Sequence, residues 1–250
     1  MTPTTTSTQP IPLTPVTWLA SLWNSCLDLI YPPACMGCDT LLPLASTVHP
    51  PAVMADGRIL PSAKVFLCPN CVDDFAPAAR FSPEGHGFAY PYKGLVQQSI
   101  YKLKYGKQAH VAQGLGICMA ESIGRDFFGD TDMIVPVPIH PKRHRTRGFN
   151  QAERLALYLC HHLQLPAVPK PTNALQRVKN TRPMAELSPS LRKHALHDAF
   201  CLNKKVDIVN LNVVLVDDIY TTGATLDACA QLMLVNGAKK VRYATLAKVR

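Results

Sequence analysis

Residues 212–225 constrain what this chain can fold into more than any other stretch. Val213-Val214-Leu215-Val216 is an apolar run without polar interruption, the pattern of a strand covered on both faces in a parallel sheet. The run ends at two adjacent acids, Asp217 and Asp218, followed by Ile219-Tyr220 and the turn residues Thr221-Thr222-Gly223-Ala224-Thr225. Leu226 to Asn236 has helical periodicity, Gly237 closes that helix, and Val241 to Ala247 reads as the next strand. In such a strand–turn–helix unit, ligands sit beyond the carboxyl end of the sheet. Backbone N–H groups at the helix start, joined by threonine hydroxyls, make a cradle for a phosphate dianion. Gly223 lets the backbone come close to it. Two acids would repel that phosphate, so Asp217 and Asp218 are expected to face another part of the ligand: vicinal sugar hydroxyls or Mg²⁺.

A second buried strand is expected at Asp132–Pro138, ending in a rigid Pro-Val-Pro turn. Next comes a loop carrying Lys142, Arg143, Arg145 and Arg147, then a helix from Ala152 to Leu163. A loop this basic at a strand's carboxyl end suits a pyrophosphate, which arginine forks neutralise bidentately. Leu175 to Met184, with Arg177, Lys179 and Arg182 among Asn and Pro, has no period and reads as a mobile basic loop suited to a lid. Lys102, Lys104 and Lys107 lie on or beside another helix, interleaved with Tyr101 and Tyr105. Those aromatics either stack bases of a single strand or belong to the core of an amphipathic helix.

The N-terminal third carries different chemistry. Cys35-Met-Gly-Cys38 and Cys68-Pro-Asn-Cys71 have the spacing at which two knuckles complete a tetrahedral Cys₄ zinc site. With no open position and no nearby histidine, the zinc is expected to be structural. The long gap between the pairs fits a Pro-rich insertion from Leu42 to Ala63. The chain has nine cysteines in 250 residues, too few and too scattered for a secreted disulfide scaffold. No charged residue precedes Asp28, so a signal peptide is not expected and the cytoplasm is the expected compartment. Residues 1–15, rich in Thr and Pro, read as a disordered tail, and 16–30 as an amphipathic helix that Pro32-Pro33 stops. No apolar run reaches the roughly 18 residues a membrane span needs, so no stable membrane insertion is expected. The formal net charge of +9 favours anionic partners.

The run from Val213 to Thr225 closely resembles the phosphoribosyl pyrophosphate (PRPP) signature of type I phosphoribosyltransferases. Together with Pro32–Cys38, Cys68–Cys71 and Pro136–Gln151, in that order, the chain resembles the ComF family associated with natural competence and DNA uptake. The resemblance covers about residues 16–250. It implies an α/β fold: a type I phosphoribosyltransferase-like parallel sheet with helices on both faces (87–250), preceded by a zinc-ribbon-like module (31–80). It implies that Asp217 and Asp218 hold the ribose hydroxyls and that Thr221, Thr222, Gly223, Ala224 and Thr225 hold the 5′-phosphate. Arg143 and Arg147 would then take the pyrophosphate, with Mg²⁺ accompanying PRPP. Two functions are open: phosphoribosyl transfer to an acceptor the sequence does not identify, or a non-catalytic module binding PRPP or nucleotide and single-stranded DNA beside a DNA-uptake helicase. The chain departs from the family pattern at Met184, where a Gln is usual, and before Ala199-Phe200, where Asn is replaced by Ala195 and His197.

Overall fold

The apolar run at 213–216 sits where its composition demands, in the interior of a parallel sheet. In the computed structural model, residues 34–42, 66–76, 80–81, 85–106, 111–165, 174–180 and 198–249 are described. The tail at 1–15, the helix at 16–30 and nearly all of the Pro-rich insertion lie outside the described residues, as do Lys107, Arg182, Met184, Ala195 and His197. In chain order the strands are β1 (Arg80–Phe81), β2 (His86–Pro91), β3 (Met133–Pro136), β4 (Leu175–Arg177), β5 (Phe200–Leu202), β6 (Asn212–Tyr220) and β7 (Lys240–Lys248). The helices are α1 (Pro69–Val72), α2 (Gly94–Tyr105), α3 (Val111–Ile123), α4 (Pro141–Arg147), α5 (Gln151–Leu163) and α6 (Ala224–Val235). A sheet of order β1-β2-β7-β6-β3 forms the centre, parallel from β2 to β3, with β1 antiparallel at its edge. The sheet therefore begins at Arg80, ahead of residue 87. A separate antiparallel hairpin joins β4 to β5.

Side-chain alternation along β6 divides the core in two. Val214 and Val216 face one way, with Ala244 and Leu246 of β7, and are covered by α3 and α5 through Leu115, Met119, Leu155 and Leu159. Val213 and Leu215 face the other way and pack on Leu226, Cys229 and Met233 of α6 and on Leu175 and Phe200 of the hairpin. Helices thus cover both faces, the reason the strand is apolar throughout. α3 is an almost entirely buried helix. It approaches α5 closely at Gly116, where an added Cβ would lie 2.8 Å from Tyr158 Cβ and 3.0 Å from the Leu155 carbonyl oxygen.

Two expectations are corrected here. The strand does not stop at the acids: Ile219 and Tyr220 continue it, registered on Ala247 and Lys248, because a β-branched and an aromatic residue prolong the pleat. The stretch from Leu175 is also not loop throughout. Leu175–Arg177 pairs with Phe200–Leu202, and Leu175 is drawn into the core below α6.

Gly116→Val should lower stability by about 1–3 kcal/mol through forced separation of α3 and α5. Gly129→Ala, at a right-handed helical φ of −58° with only the Asp126 carbonyl oxygen at 3.5 Å, should be neutral. Thermal melts of the two variants check the pair.

Candidate functional site

The neighbouring strands β3 and β6 run in parallel, so whatever follows each is delivered to the same edge of the sheet. After β3, the Val137 N–H donates to the Val216 carbonyl at 2.9 Å, extending the pairing past the strand. His140 then caps α4, its Nδ1 accepting from the Lys142 N–H at 3.1 Å, with Pro141 in the first turn. The basic segment is therefore a helix and not the expected loop. On it Lys142 and Arg145 are exposed, whereas Arg143 and Arg147 are half-buried, four residues apart on one face. Burial and then the neighbouring Arg147 lower the Arg143 pKa. Two guanidiniums are thus crowded together on one face of the helix.

The residues after α4 hold it in place. Gly148 ends the helix in the left-handed region at φ 84°, and Phe149 drops into the core. Asn150 Oδ1 accepts from the Ala152 N–H and its Nδ2 donates to the Val137 carbonyl, both at 3.1 Å, capping α5 and tying it to the end of β3. Gln151 Oε1 accepts from Arg147 Nη1 at 3.0 Å. The motif Arg-Gly-Phe-Asn-Gln is thus a device for aiming one arginine.

At the end of β6 the two acids part company. Adjacent residues on a strand point to opposite faces, and Asp218 is 3% exposed, with its Oδ2 2.7 Å from Lys104 Nζ of α2. Burial alone would lower the Lys104 pKa, but the Asp218 carboxylate outweighs it and the net shift is upward. Asp217 is half-buried, and its Oδ1 accepts from the Asp218 N–H at 2.8 Å. Burial, then the charge of Asp218, raises the Asp217 pKa to about 8. On the Asp217 side lies Arg177, buried beneath the hairpin with its guanidinium carbon 5.3 Å from the Phe200 ring centre. Burial lowers the Arg177 pKa, as does Arg143, while Asp217 acts to raise it.

Thr221 and Thr222 are exposed, and Ala224 and Thr225 open the first turn of α6 half-buried. Gly223 caps that helix at φ 78°. A Cβ there would meet Tyr220 Oη at 2.5 Å, so only glycine fits. The Tyr220 ring underlies the turn, tilted 33° on the ring of His86 at 4.3 Å, with Lys248 Nζ 5.3 Å from the Tyr220 ring centre. His86 Nε2 is 2.9 Å from Thr245 Oγ1.

The four predicted cysteines also converge. Their sulfurs all lie within 4.8 Å of one another, and Cys38 and Cys68 Sγ are 3.6 Å apart. A tetrahedron with Zn–S bonds of 2.3 Å has edges of about 3.8 Å, so the cluster could hold a metal ion such as zinc. Cys35 Sγ accepts from the Cys68 N–H at 3.3 Å, and Pro69 starts α1 just beyond. The module rests on α2. Ser99 Oγ donates to the Met36 carbonyl at 2.9 Å, and Lys102 Nζ donates to the Gly37 carbonyl at 2.8 Å while pairing with Asp39 at 2.7 Å.

The comparisons with known proteins agree with this geometry. Residues 119–250 match the phosphoribosyl transferase domain family. The chain is 34% identical over 195 residues to the DNA utilization protein YhgH of Salmonella typhimurium, covering 72% of this chain and 82% of that protein. It is 28% identical over 182 residues to competence protein F of Haemophilus influenzae (72% and 78% covered). With competence protein ComFC of Bacillus subtilis the identity is 24% over 148 residues (59% and 57%). The chain belongs to the ComF family. Its ComF features include both the phosphoribosyl transferase domain and the four-cysteine cluster that precedes it.

Sequence reasoning singled out Asp217, Asp218, the Thr221–Thr225 turn, Arg143, Arg147 and the four cysteines; the structure carries the acids, the turn and the two arginines on or just after the neighbouring strands β3 and β6, and clusters the cysteines. It missed Lys104, whose basic cluster signalled surface, and Arg177, read as part of a mobile loop. His86 gave no local signal, being buried against Tyr220 from more than a hundred residues away.

The raised Asp217 pKa carries a pH dependence. The folded state binds a proton that the unfolded chain releases near pH 4, so this group's contribution to stability declines as pH rises from about 4 through about 8. Asp217→Asn should raise the melting temperature at pH 8.5 and change it little at pH 4; equal effects at both would contradict the assignment.

Proposed function

We propose that this ComF protein binds PRPP with Mg²⁺ at the carboxyl edge of its sheet and that the site fits phosphoribosyl transfer. One observation supports this most directly. The half-buried Arg143–Arg147 face follows β3, the Gly223-capped start of α6 follows the neighbouring strand β6, and Asp217 stands near the end of β6. An ordered pyrophosphate–sugar–phosphate ligand needs those three chemistries side by side. In this reading Thr221, Thr222, Gly223, Ala224 and Thr225 cradle the 5′-phosphate and Asp217 serves the ribose hydroxyls, while Asp218, expected from the sequence to share that role, is buried on the other face against Lys104. Arg143 and Arg147 neutralise the pyrophosphate. Asp217 would help to hold Mg²⁺, which would offset negative charge at the site.

Transfer would break the bond from C1 of the ribose to the pyrophosphate oxygen and form one from an acceptor's lone pair to C1. The protein's part would be positioning and charge stabilisation. Among the described residues, no side chain beyond the acids is placed as a general base. The Cys₄ cluster would hold one structural zinc, in a module before residue 80 that precedes the phosphoribosyltransferase unit. The names of the relatives, DNA utilization and competence, support a place in the handling of imported DNA or its nucleotides.

Calorimetry with PRPP and Mg²⁺ should show saturable binding. Thr222→Val should weaken it about 10- to 100-fold, the worth of one hydrogen bond to a charged oxygen. Pyrophosphate release in a screen of nucleobase and amine acceptors, abolished by Asp217→Asn, would establish transfer. Metal analysis should find one zinc per chain, lost in Cys71→Ser; a metal-free, folded wild type would refute the structural zinc.

A second reading is favoured by the α2–α4 surface. Tyr101 and Tyr105 are 64% and 61% exposed, their ring centres 4.8 Å apart, and the Arg147 guanidinium carbon lies 5.4 Å from the Tyr105 centre. Exposed aromatics beside cations suit single-stranded nucleic acid. Binding of a labelled oligonucleotide should weaken steeply with salt and fall in Tyr101→Ala while PRPP affinity is unchanged.

A further inference from the structure

Lys104 belongs to none of the groups that the signature supplies, yet it makes the shortest-range contact with one of them. It reaches Asp218 from α2, which follows β2, more than a hundred residues away in sequence and across β7 in the sheet. Its side chain is 19% exposed and that of Asp218 5%, with nitrogen and oxygen 2.7 Å apart. A carboxylate so enclosed cannot stay charged without a cation, and the upward pKa shift of Lys104 shows the attraction outweighing its own burial. The helix that delivers it is fixed one turn earlier, where Ser99 and Lys102 bond the backbone of the Cys₄ module. Tyr105, the next residue, packs under Arg147. Lys104 therefore occupies a point at which the position of α2 is transmitted to the end of β6.

We infer that Lys104 is a positioning residue for the sugar site: by pairing with buried Asp218 it fixes the carboxyl end of β6, making the two acids unequal, with Asp217 left to meet the ligand. The ligand half of this inference rests on the PRPP reading above. Lys104 itself touches no ligand in this scheme and acts through Asp218 alone. The turn after Tyr220, which leads to Gly223, starts two residues past that fixed point, so loosening it would displace acid and cradle together.

A double-mutant cycle tests this on the full-length, metal-loaded protein, using Lys104→Met, Asp218→Asn and both together. Lys104→Met leaves a buried charge unpaired and should lower the melting temperature by about 10 °C. Adding Asp218→Asn should restore most of it. Binding of Mg²⁺–PRPP should weaken about tenfold in Lys104→Met, fail to recover in the stable double variant, and be no weaker there than in Asp218→Asn. A role in stability alone would instead return affinity together with melting temperature, and would overturn the inference. So would an equal loss of affinity from Lys104→Met in wild-type and Asp218→Asn backgrounds, because Lys104 would then contact the ligand directly. Wild-type protein that binds no PRPP would overturn the preceding reading and this ligand role, while strictly additive melting shifts would overturn the Lys104–Asp218 lock itself.

Discussion

The carboxyl end of β6 sets the problem that the rest of the structure answers. A central strand of a parallel sheet is enclosed on both faces, and the two acids on it inherit that enclosure. Because β6 continues to Tyr220, Asp217 and Asp218 are pleated to opposite sides and cannot share one environment. Asp218 enters the side covered by α3 and α5, where an unmatched charge would cost several kcal/mol. Lys104 is the match. Asp217 turns to the side of Arg177 and Cys229, where burial and its anionic neighbour press it toward the protonated form. Two identical residues adjacent in sequence thus meet different surroundings for reasons that lie in the pleat.

Matching that charge explains why α2 sits where it does. The helix is pinned at the Cys₄ module by Ser99 and Lys102, and at the sheet edge by Lys104. Residues 99, 102 and 104 cannot all lie on one face of a helix turning every 3.6 residues, so α2 is held from two directions. Gly114 of α3 completes the seating: a Cβ there would lie 2.7 Å from Met36 Sδ and 2.8 Å from Phe66 Cβ. The cysteine module consequently packs into the same core as the sheet, and Cys35, Met36 and Cys68 share a cluster with Leu115 and Ile100. A metal there would stiffen a platform that already reaches the acids through one helix.

What was legible in the sequence was whatever local pattern dictates. The apolar run of β6, the helix closed by Gly237 and the paired Cys-x-x-Cys units each carry their cause within a few residues. So does the basic stretch 142–147, although its helical form depended on a cap by His140 and on Pro141, which a run of cations disguised. The strand limit at the acids was misread because charge resembles an ending, whereas Ile219 and Tyr220 keep the pairing to β7. Lys104 and Arg177 were illegible for a different reason. Each is a cation in a polar-looking segment whose partner, Asp218 or the Phe200 ring, lies far away in sequence, and only tertiary packing reveals that it is buried.

Parallel topology then decides how charges of opposite sign can coexist at one edge. β3 and β6 are neighbours in register from Met133–Val213 to Pro136–Val216, so α4 and the Thr221–Thr225 turn are brought together by backbone pairing and need no side-chain attraction. Arg147 is held by the neutral Gln151 and the Tyr105 ring, and Asp218 by a lysine from a third element. With Asp218 matched by a cation from α2, the Arg143–Arg147 face of α4 and the amide-rich start of α6 follow neighbouring strands to the same edge, and on that juxtaposition the PRPP proposal rests.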